Sequence, residues 1–389
     1  MESPGIELTD RQRWSVLARI NASSVLSQIV QIGTITPLLS LSMERQGAEP
    51  ARIGLVVSAS WLAILLLYRV VPRLLVLLGL TRAVMISAVL TVASVLGMSL
   101  THNPLMLFAL NFVLGVGLIL RWIASDTWIV LVAQRNERGR AIGVHETLMG
   151  LGIAVGPLLL SLLGVGALPY YASAALAGAS GALAWTLKDV AVAPGIPVEK
   201  RPLGVLGMIP LALCGAFIAG FSETSSVTFL ASYGLAAGYL LATATLLVAA
   251  FGAGGTVLQL PIGWVADRSS YKVAQLLCGL VLVGGTLLIA LCQPYPWLAA
   301  LAAFVWGGAI GGMNTLAVIE AGERVSEKQL STAMTAIALF YTLGSIAGPI
   351  VTGAAIGMLG DQGLIVSAGA AGTLFVIALA LHPGSPTRQ

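Results

Sequence analysis

Charge is what this sequence has least of. Of 389 residues only 9% are Asp, Glu, Lys or Arg, against roughly 25% in a soluble domain. So little polar surface excludes a soluble enzyme, a nucleic-acid binder and a disordered hub. Histidine occurs only as His102, His145 and His382, which rules out an H-E-x-x-H or multi-histidine site. The cysteines Cys214, Cys278 and Cys292 all lie in apolar runs, so neither a disulfide framework nor a metal cluster is expected. A G-x-x-x-x-G-K-[ST] phosphate loop is missing, which argues against ATP-driven pumping. No cofactor and no enzymatic activity are expected.

What is present is apolar: 57% of the chain, with 45 glycines and a mean hydropathy of +0.94. A bilayer-spanning helix needs roughly 20 apolar residues. Apolar runs read against their punctuation predict an all-α membrane protein with twelve spans. Spans 1 to 6 are expected near 14–40, 52–72, 80–100, 104–132, 141–165 and 167–188. Spans 7 to 12 are expected near 205–232, 237–264, 272–292, 295–320, 330–357 and 362–382. The stretch 189–204 is rich in Pro and charge and reads as a linker between an N-terminal six-helix bundle, 1–188, and a C-terminal one, 205–389. The apolar run after residue 13 is too long for a signal-peptide core, so span 1 is expected to remain a true span.

The charges orient the spans. Of 20 Lys and Arg, all but Arg45, Arg52 and Arg121 fall at the termini, in the even-to-odd loops, in the linker or at nearby helix ends. The positive-inside rule then makes both termini and the linker cytoplasmic. The net charge of +4 is explained by this placement and does not call for nucleic acid as a partner.

The halves repeat. Gly152-Ile153-Ala154-Val155-Gly156-Pro157 in span 5 returns in span 11 as Gly344-Ser345-Ile346-Ala347-Gly348-Pro349, 192 residues later. After span 2, Tyr68-(x)3-Pro72-Arg73 corresponds more weakly to Gly263-(x)3-Asp267-Arg268 after span 8. Two pairs at nearly one offset predict pseudo-symmetric bundles related by an axis along the membrane normal.

On these residues the chain resembles the major facilitator superfamily over essentially its whole length. Gly263-Trp264-Val265-Ala266-Asp267-Arg268-Ser269-Ser270-Tyr271-Lys272 is similar to that family's G-x-x-x-D-R-x-G-x-K/R signature, with Ser270 in place of the second glycine. Asn136-Glu137-Arg138-Gly139-Arg140-Ala141 is similar to its R-G-R-A entry to span 5. The departures are Tyr68 and Pro72 in the first-half loop, Asn111 where drug antiporters often carry arginine, and Leu160 and Ser161 after the GxxxGP element. The resemblance implies a secondary transporter working as a monomer by alternating access, with substrate held between spans 1, 4, 5, 7, 8, 10 and 11. It implies that Gly263, Asp267 and Arg268 form a cytoplasmic latch, for which a helix-capping turn is the alternative.

Ionisable residues inside spans cost at least about 2.5–3.5 kcal/mol at mid-membrane on insertion scales and mark function. They are Arg121 and Asp126 in span 4, Glu146 in span 5 and Glu223 in span 7. Arg121 and Asp126 are five apart and do not share a helical face. Helix rise sets Arg121 at a depth from which it would reach Glu146, so an Arg121–Glu146 contact is expected. Glu146 is the first choice for proton carrier, followed by Asp126 and Glu223, with a buried structural ion pair as the alternative for each. His145 is a weaker shuttle candidate, and Glu320, beside Glu323 and Arg324, is expected at the interface.

Asn21, Ser24, Gln28 and Gln31 recur at spacings of three and four and so share one face of span 1. In lipid such a stripe must face protein or water. Substrate bonding and an interhelical clasp both satisfy it, with the cavity role favoured. Trp122, Gln259, Asn314 and Tyr341 are further cavity-wall candidates. Gly152, Gly156, Pro157, Gly344, Gly348 and Pro349 predict either static close packing or a hinge between the halves.

The function expected is proton-coupled secondary transport of a small organic solute across the bacterial inner membrane, with protons and membrane lipid as the other partners. The GxxxGP element favours export by antiport. Uptake by symport or uniport, and a non-transporting sensor or scaffold on the same fold, are the alternatives.

Overall fold

The structure is a computed structural model that describes residues 9–134, 137–187 and 205–382. The expected linker 189–204, and Asn136 of the R-G-R-A motif, lie outside the described residues. Among the described residues all regular structure is helical.

Span 1 runs Asp10–Arg45 and is longer at both ends than its apolar run. Thr9 and Gln12 close a capping box at its start, which lets the helix begin in polar sequence. Its middle, Ile29–Thr34, winds as a π turn, and the Thr34 hydroxyl donates to the Ile29 carbonyl at 2.8 Å. The other spans follow punctuation in the sequence. Span 4, Pro104–Val132, starts behind Asn103, whose side chain accepts from the amides of Leu105 and Met106, with proline in the first turn. Spans 5 and 11, Arg138–Leu163 and Glu327–Leu359, continue through Pro157 and Pro349. Each ends at a glycine with positive φ, Gly164 at 75° and Gly360 at 65°, a backbone state that side chains disfavour.

Among the described residues, eleven helices are long and apolar enough to cross a membrane. The remaining expected span, span 6 at Ala167–Trp185, has 19 residues but is built on Ala, Gly, Ser and Tyr and is less apolar. It is nonetheless tied into the first unit, where Ser180 bonds Ser23 and Ser27 of span 1. The weakened first-half loop is not a loop: Val71–Leu78 forms a short helix between spans 2 and 3.

The described residues divide into two compact units. One lies within Met1–Leu38 and Ala59–Val198, the other within Leu39–Ser58 and Glu199–Gln389. Relative to the expected 1–188 and 205–389 halves, the end of span 1 and the start of span 2 group with the second unit. Glycine explains this. A Cβ on Gly54 would collide with the Pro349 carbonyl, and one on Gly353 with that of Pro50, so backbones touch directly there.

The repeated GxxxGP elements do the same inside each unit. Gly156 of span 5 meets the backbone of Gly33 in the π turn, and a Cβ on Gly152 would lie 3.0 Å from that of Gln28. In span 11, Gly344 and Gly348 meet the backbones of Phe217 and Phe221 in span 7, Pro210–Ala236. Their partners are thus spans of their own unit.

Because the Gly33–Gly156 contact is backbone on backbone, no side chain can yield to relieve an insertion there. Gly156→Val and Gly348→Val are each expected to cost about 3 kcal/mol or more. Gly143→Ala, at an open position of span 5, is expected to be neutral. Melting of the detergent-solubilised protein checks this; equal melting of all three would refute the packing argument.

Candidate functional site

The polar stripe of span 1 is fully engaged within the first unit. Arg121, 2% exposed, donates from Nε to Gln31 Oε1 at 3.0 Å and from a terminal nitrogen to Gln28 Oε1 at 2.6 Å. Its other terminal nitrogen lies 3.5 Å from the Met149 sulfur. Gln31 also donates to Thr91 Oγ1 of span 3 at 2.8 Å. Ser24 bonds Ser125 at 2.9 Å. The four stripe residues Asn21, Ser24, Gln28 and Gln31 therefore clasp spans 3, 4 and 5, the alternative to a purely substrate-facing role. A buried guanidinium needs acceptors, and two amide oxygens one turn apart supply them without a second buried charge.

The expected Arg121–Glu146 contact is not formed. Glu146 is exposed and makes no hydrogen bond or ion pair among the described residues, although it lies within electrostatic reach of Asp126, His145 and Arg121. The difference lies in direction around the axis of span 5. Successive residues of a helix point about 100° apart. It is His145 that turns inward, 2% exposed, with Nδ1 2.8 Å from Asn21 Oδ1 and Nε2 3.3 Å from Asp126 Oδ1. The helical signal for this was present, since His145 lies seven residues before Gly152, on the glycine face.

In the second unit Tyr341 donates its hydroxyl to Glu223 at 2.8 Å, joining spans 11 and 7. Tyr341 thus acts on a carboxylate rather than standing alone in a wall. Glu320, near the end of span 10, is fully buried within the protein, and Gln275 Nε2 donates to its Oε2 at 2.9 Å while Arg324 Nε stands 3.4 Å from Oε1. The i,i+4 spacing of Glu320 and Arg324 was the legible sign of this pair. Trp122 and Asn314 are half-buried, and Gln259 is exposed where span 8 restarts after Leu258.

At the latch motif Asp267 and Arg268 are exposed. The Arg268 guanidinium stacks over Trp264, 4.0 Å from the ring centre. Asp267 makes no hydrogen bond or ion pair with a described residue, and Gly263 faces open space. The cap of span 9 is Ser270, whose hydroxyl accepts from the Val273 amide at 3.3 Å.

A bundle of twelve expected spans with Arg121 and His145 buried on spans 4 and 5, a Glu223–Tyr341 bond between spans 7 and 11 and duplicated glycine crossings is the architecture expected of a solute transporter. The Major Facilitator Superfamily model matches residues 22–209 and 212–389, and the chain belongs to that family. It is similar to the uncharacterized MFS-type transporter YfkF of Bacillus subtilis, 23% identical over 330 residues, 82% of this chain and 84% of that one. It is also similar to YcaD of Escherichia fergusonii, an uncharacterized MFS-type transporter, 24% identical over 94% of this chain and 96% of that one. Among solved structures, the nucleoside transporter NupG shares the fold with a TM-score of 0.77 at 14% identity, over 94% of this chain and 98% of its own. A bacterial homologue of the human lysosomal transporter Spinster does so with a TM-score of 0.72 at 15% identity, over 96% of both chains. The protein is an integral membrane transporter and not an enzyme.

Arg121→Met strips the donors from two buried amide oxygens. It is expected to lower stability by about 1–3 kcal/mol. Adding Gln28→Leu and Gln31→Leu to that variant is expected to cost little more, because the three residues act as one unit. Strictly additive losses in melting would refute the clasp. The charge swap Arg121→Glu with Glu146→Arg is expected to give no mutual rescue.

Proposed function

We propose that this transporter couples movement of a small organic solute to protons by alternating access, with export by antiport favoured over uptake. The observation that supports the reading is the gathering of Arg121, Asp126, His145 and Glu146 on two neighbouring spans of one unit. A carboxylate's protonation responds both to burial and to nearby charge. Helix motion or substrate arrival that changes either can therefore load or release a proton. Glu146, exposed and unbonded, is the group free to exchange it, with His145 and Asp126 as its immediate electrostatic surroundings. Asp126 and then Glu223, bonded to Tyr341, are the next candidates for the same role.

The solute would be met by Asn21, Gln28 and Gln31 when their present bonds loosen, and by Trp122, Gln259, Asn314 and Tyr341. Gly263, Asp267 and Arg268 would engage as a latch in another state of the cycle. In this reading the halves 1–188 and 205–389, joined by 189–204, move as a monomer in the bacterial inner membrane with both termini cytoplasmic. The likeness to NupG, itself a nucleoside transporter, puts nucleosides among the first solutes to try and is the reason to keep uptake as the second reading.

Proteoliposomes with an internal pH dye test this. Pools of nucleosides, drugs, amino acids, sugars and organic acids are added in turn under an imposed pH gradient. The wild type is expected to show proton flux with at least one pool, Glu146→Gln to abolish it, and Glu223→Gln to retain it. The flux direction separates antiport from symport. Folded protein that moves a solute without protons would overturn coupling, and one that moves none would favour the sensor or scaffold.

A further inference from the structure

Outside the charged cluster, the second unit holds a cavity that the transport reading leaves unused. It has a volume of about 90 Å³ and lies where the end of span 1 and the start of span 2 meet the end of span 7, the end of span 11 and the start of span 12. By chain connectivity this is the end of the unit opposite Gly263–Arg268 at the end of span 8.

Two carboxylates line it, Glu44 and Asp361, together with the hydroxyl side chains of Ser232 and Tyr233. The Ser232 hydroxyl donates to one oxygen of Glu44. Asp361 stands at the cap position of span 12, yet its side chain accepts no capping bond. Tyr233 is 5% exposed, and its hydroxyl is buried with no hydrogen-bond partner, within electrostatic reach of Asp361. A buried phenol left unpaired costs free energy, and each such group in a native protein calls for an explanation. The remaining wall is apolar, with Phe229, Ile53 and Leu364 among its residues. Arg45 and Arg52 belong to the same turn of chain but do not line the cavity.

We propose that this cavity is a binding site for a primary ammonium group carried on a short alkyl chain. An ammonium has three N–H donors and no acceptor. The site offers three matching acceptors: the free oxygen of Glu44, the Asp361 carboxylate and the Tyr233 phenol oxygen. The volume equals the share of about three water molecules, room for the ammonium and two or three carbons against the apolar wall. A hard metal ion fits less well. Calcium takes six to eight oxygen ligands and sodium would leave the apolar wall unused, and no group of metal-ligating side chains occurs among the described residues. The occupant ties Glu44, on span 1, to Asp361, on span 12, and so holds Leu39–Ser58 within the second unit. The same chemistry is carried by soluble alkylamines and by the phosphatidylethanolamine headgroup. The site is independent of proton coupling through Glu146.

Calorimetric titration of the full chain in phosphatidylcholine nanodiscs with n-propylammonium chloride tests the proposal. Saturable binding is expected, weakened about tenfold or more by Glu44→Gln and by Asp361→Asn, the loss appropriate to one charge-assisted hydrogen bond. Tyr233→Phe keeps the ring and the fold and is expected to weaken binding severalfold, which keeps the proposal testable if a carboxylate variant fails to fold. Weaker apparent binding in discs containing phosphatidylethanolamine would identify the headgroup as the natural source; unchanged binding there would identify a soluble amine. The proposal is overturned if n-propanol binds equally, if calcium or sodium displaces the amine at equal concentration, if no saturable binding occurs, or if none of the three variants weakens it.

Discussion

Lipid offers no hydrogen bonds, so every polar atom in the spans has to find its partner inside the protein. Small residues decide how near that partner can come. Where Gly33 meets Gly156, nothing but hydrogen separates the backbones of spans 1 and 5. This contact fixes which face of span 1 turns toward spans 4 and 5. Gln28 immediately precedes the π turn and Gln31 lies within it, and their two side-chain amide oxygens receive the Arg121 guanidinium. The Thr34 hydroxyl, bonded to the carbonyls of Ile29 and Gly156, closes the same crossing from the other side. A bulky side chain at either glycine would separate the spans and leave a buried cation without acceptors.

The second unit reuses this crossing with different chemistry. Gly348 lies 192 residues after Gly156, Ser225 the same distance after Gly33, and the Gly348 position abuts the Ser225 hydroxyl. At that offset Gln31 becomes Glu223 and Met149 becomes Tyr341. In the first unit, Gln31 and Met149 meet through Arg121, which stands between them. In the second, where Met313 occupies the place of Arg121, Glu223 and Tyr341 bond each other directly. One crossing therefore stabilises a cation in an amide cradle and the other an acid beneath a phenol. Duplication preserved the backbone contact, while divergence placed charge of opposite sign on it.

Composition and apolar run length were enough to read the fold class, and the duplicated GxxxGP elements revealed the repeat. Span ends were less legible where polar residues continue a helix, as Thr9 and Gln12 do at the start of span 1. Ala167–Trp185 is poor in large apolar side chains because it packs hydroxyls and small residues against span 1. For the site, the residue types were readable and the pairings were not. Arg121 was visible as an intramembrane charge, but its partners depend on the rotation of spans 1, 4 and 5 about their axes, which helix rise does not carry. The same omission placed Glu146 where His145 lies. Closeness of Glu320 to the helix end likewise carries no sign that Gln275 of span 9 covers it.

The boundary between the two units falls inside spans 1 and 2, at Leu38/Leu39 and Ser58/Ala59, and not at the linker alone. Span 1 therefore belongs to both units. Its early part is held by side-chain bonds: Ser23 to Ser180, Ser24 to Ser125, Gln28 and Gln31 to Arg121. The segment beyond Leu38, with the start of span 2, is held differently, by backbone contacts at Gly54 and Gly353 and by the Glu44–Ser232 hydrogen bond. The π turn ends at Thr34, one helical turn before the boundary. A π turn contains a backbone carbonyl that the α ladder does not use, and such turns accommodate bending at modest cost. Contacts made by glycine backbones slide without any side chain changing rotamer, whereas the Arg121 cradle must break bonds to move. Gln31 lies inside the π turn, so the Arg121 cradle and the turn constrain one another, whereas the part of span 1 beyond Leu38 and the start of span 2 are free of that cradle and are held by backbone contacts and one surface hydrogen bond.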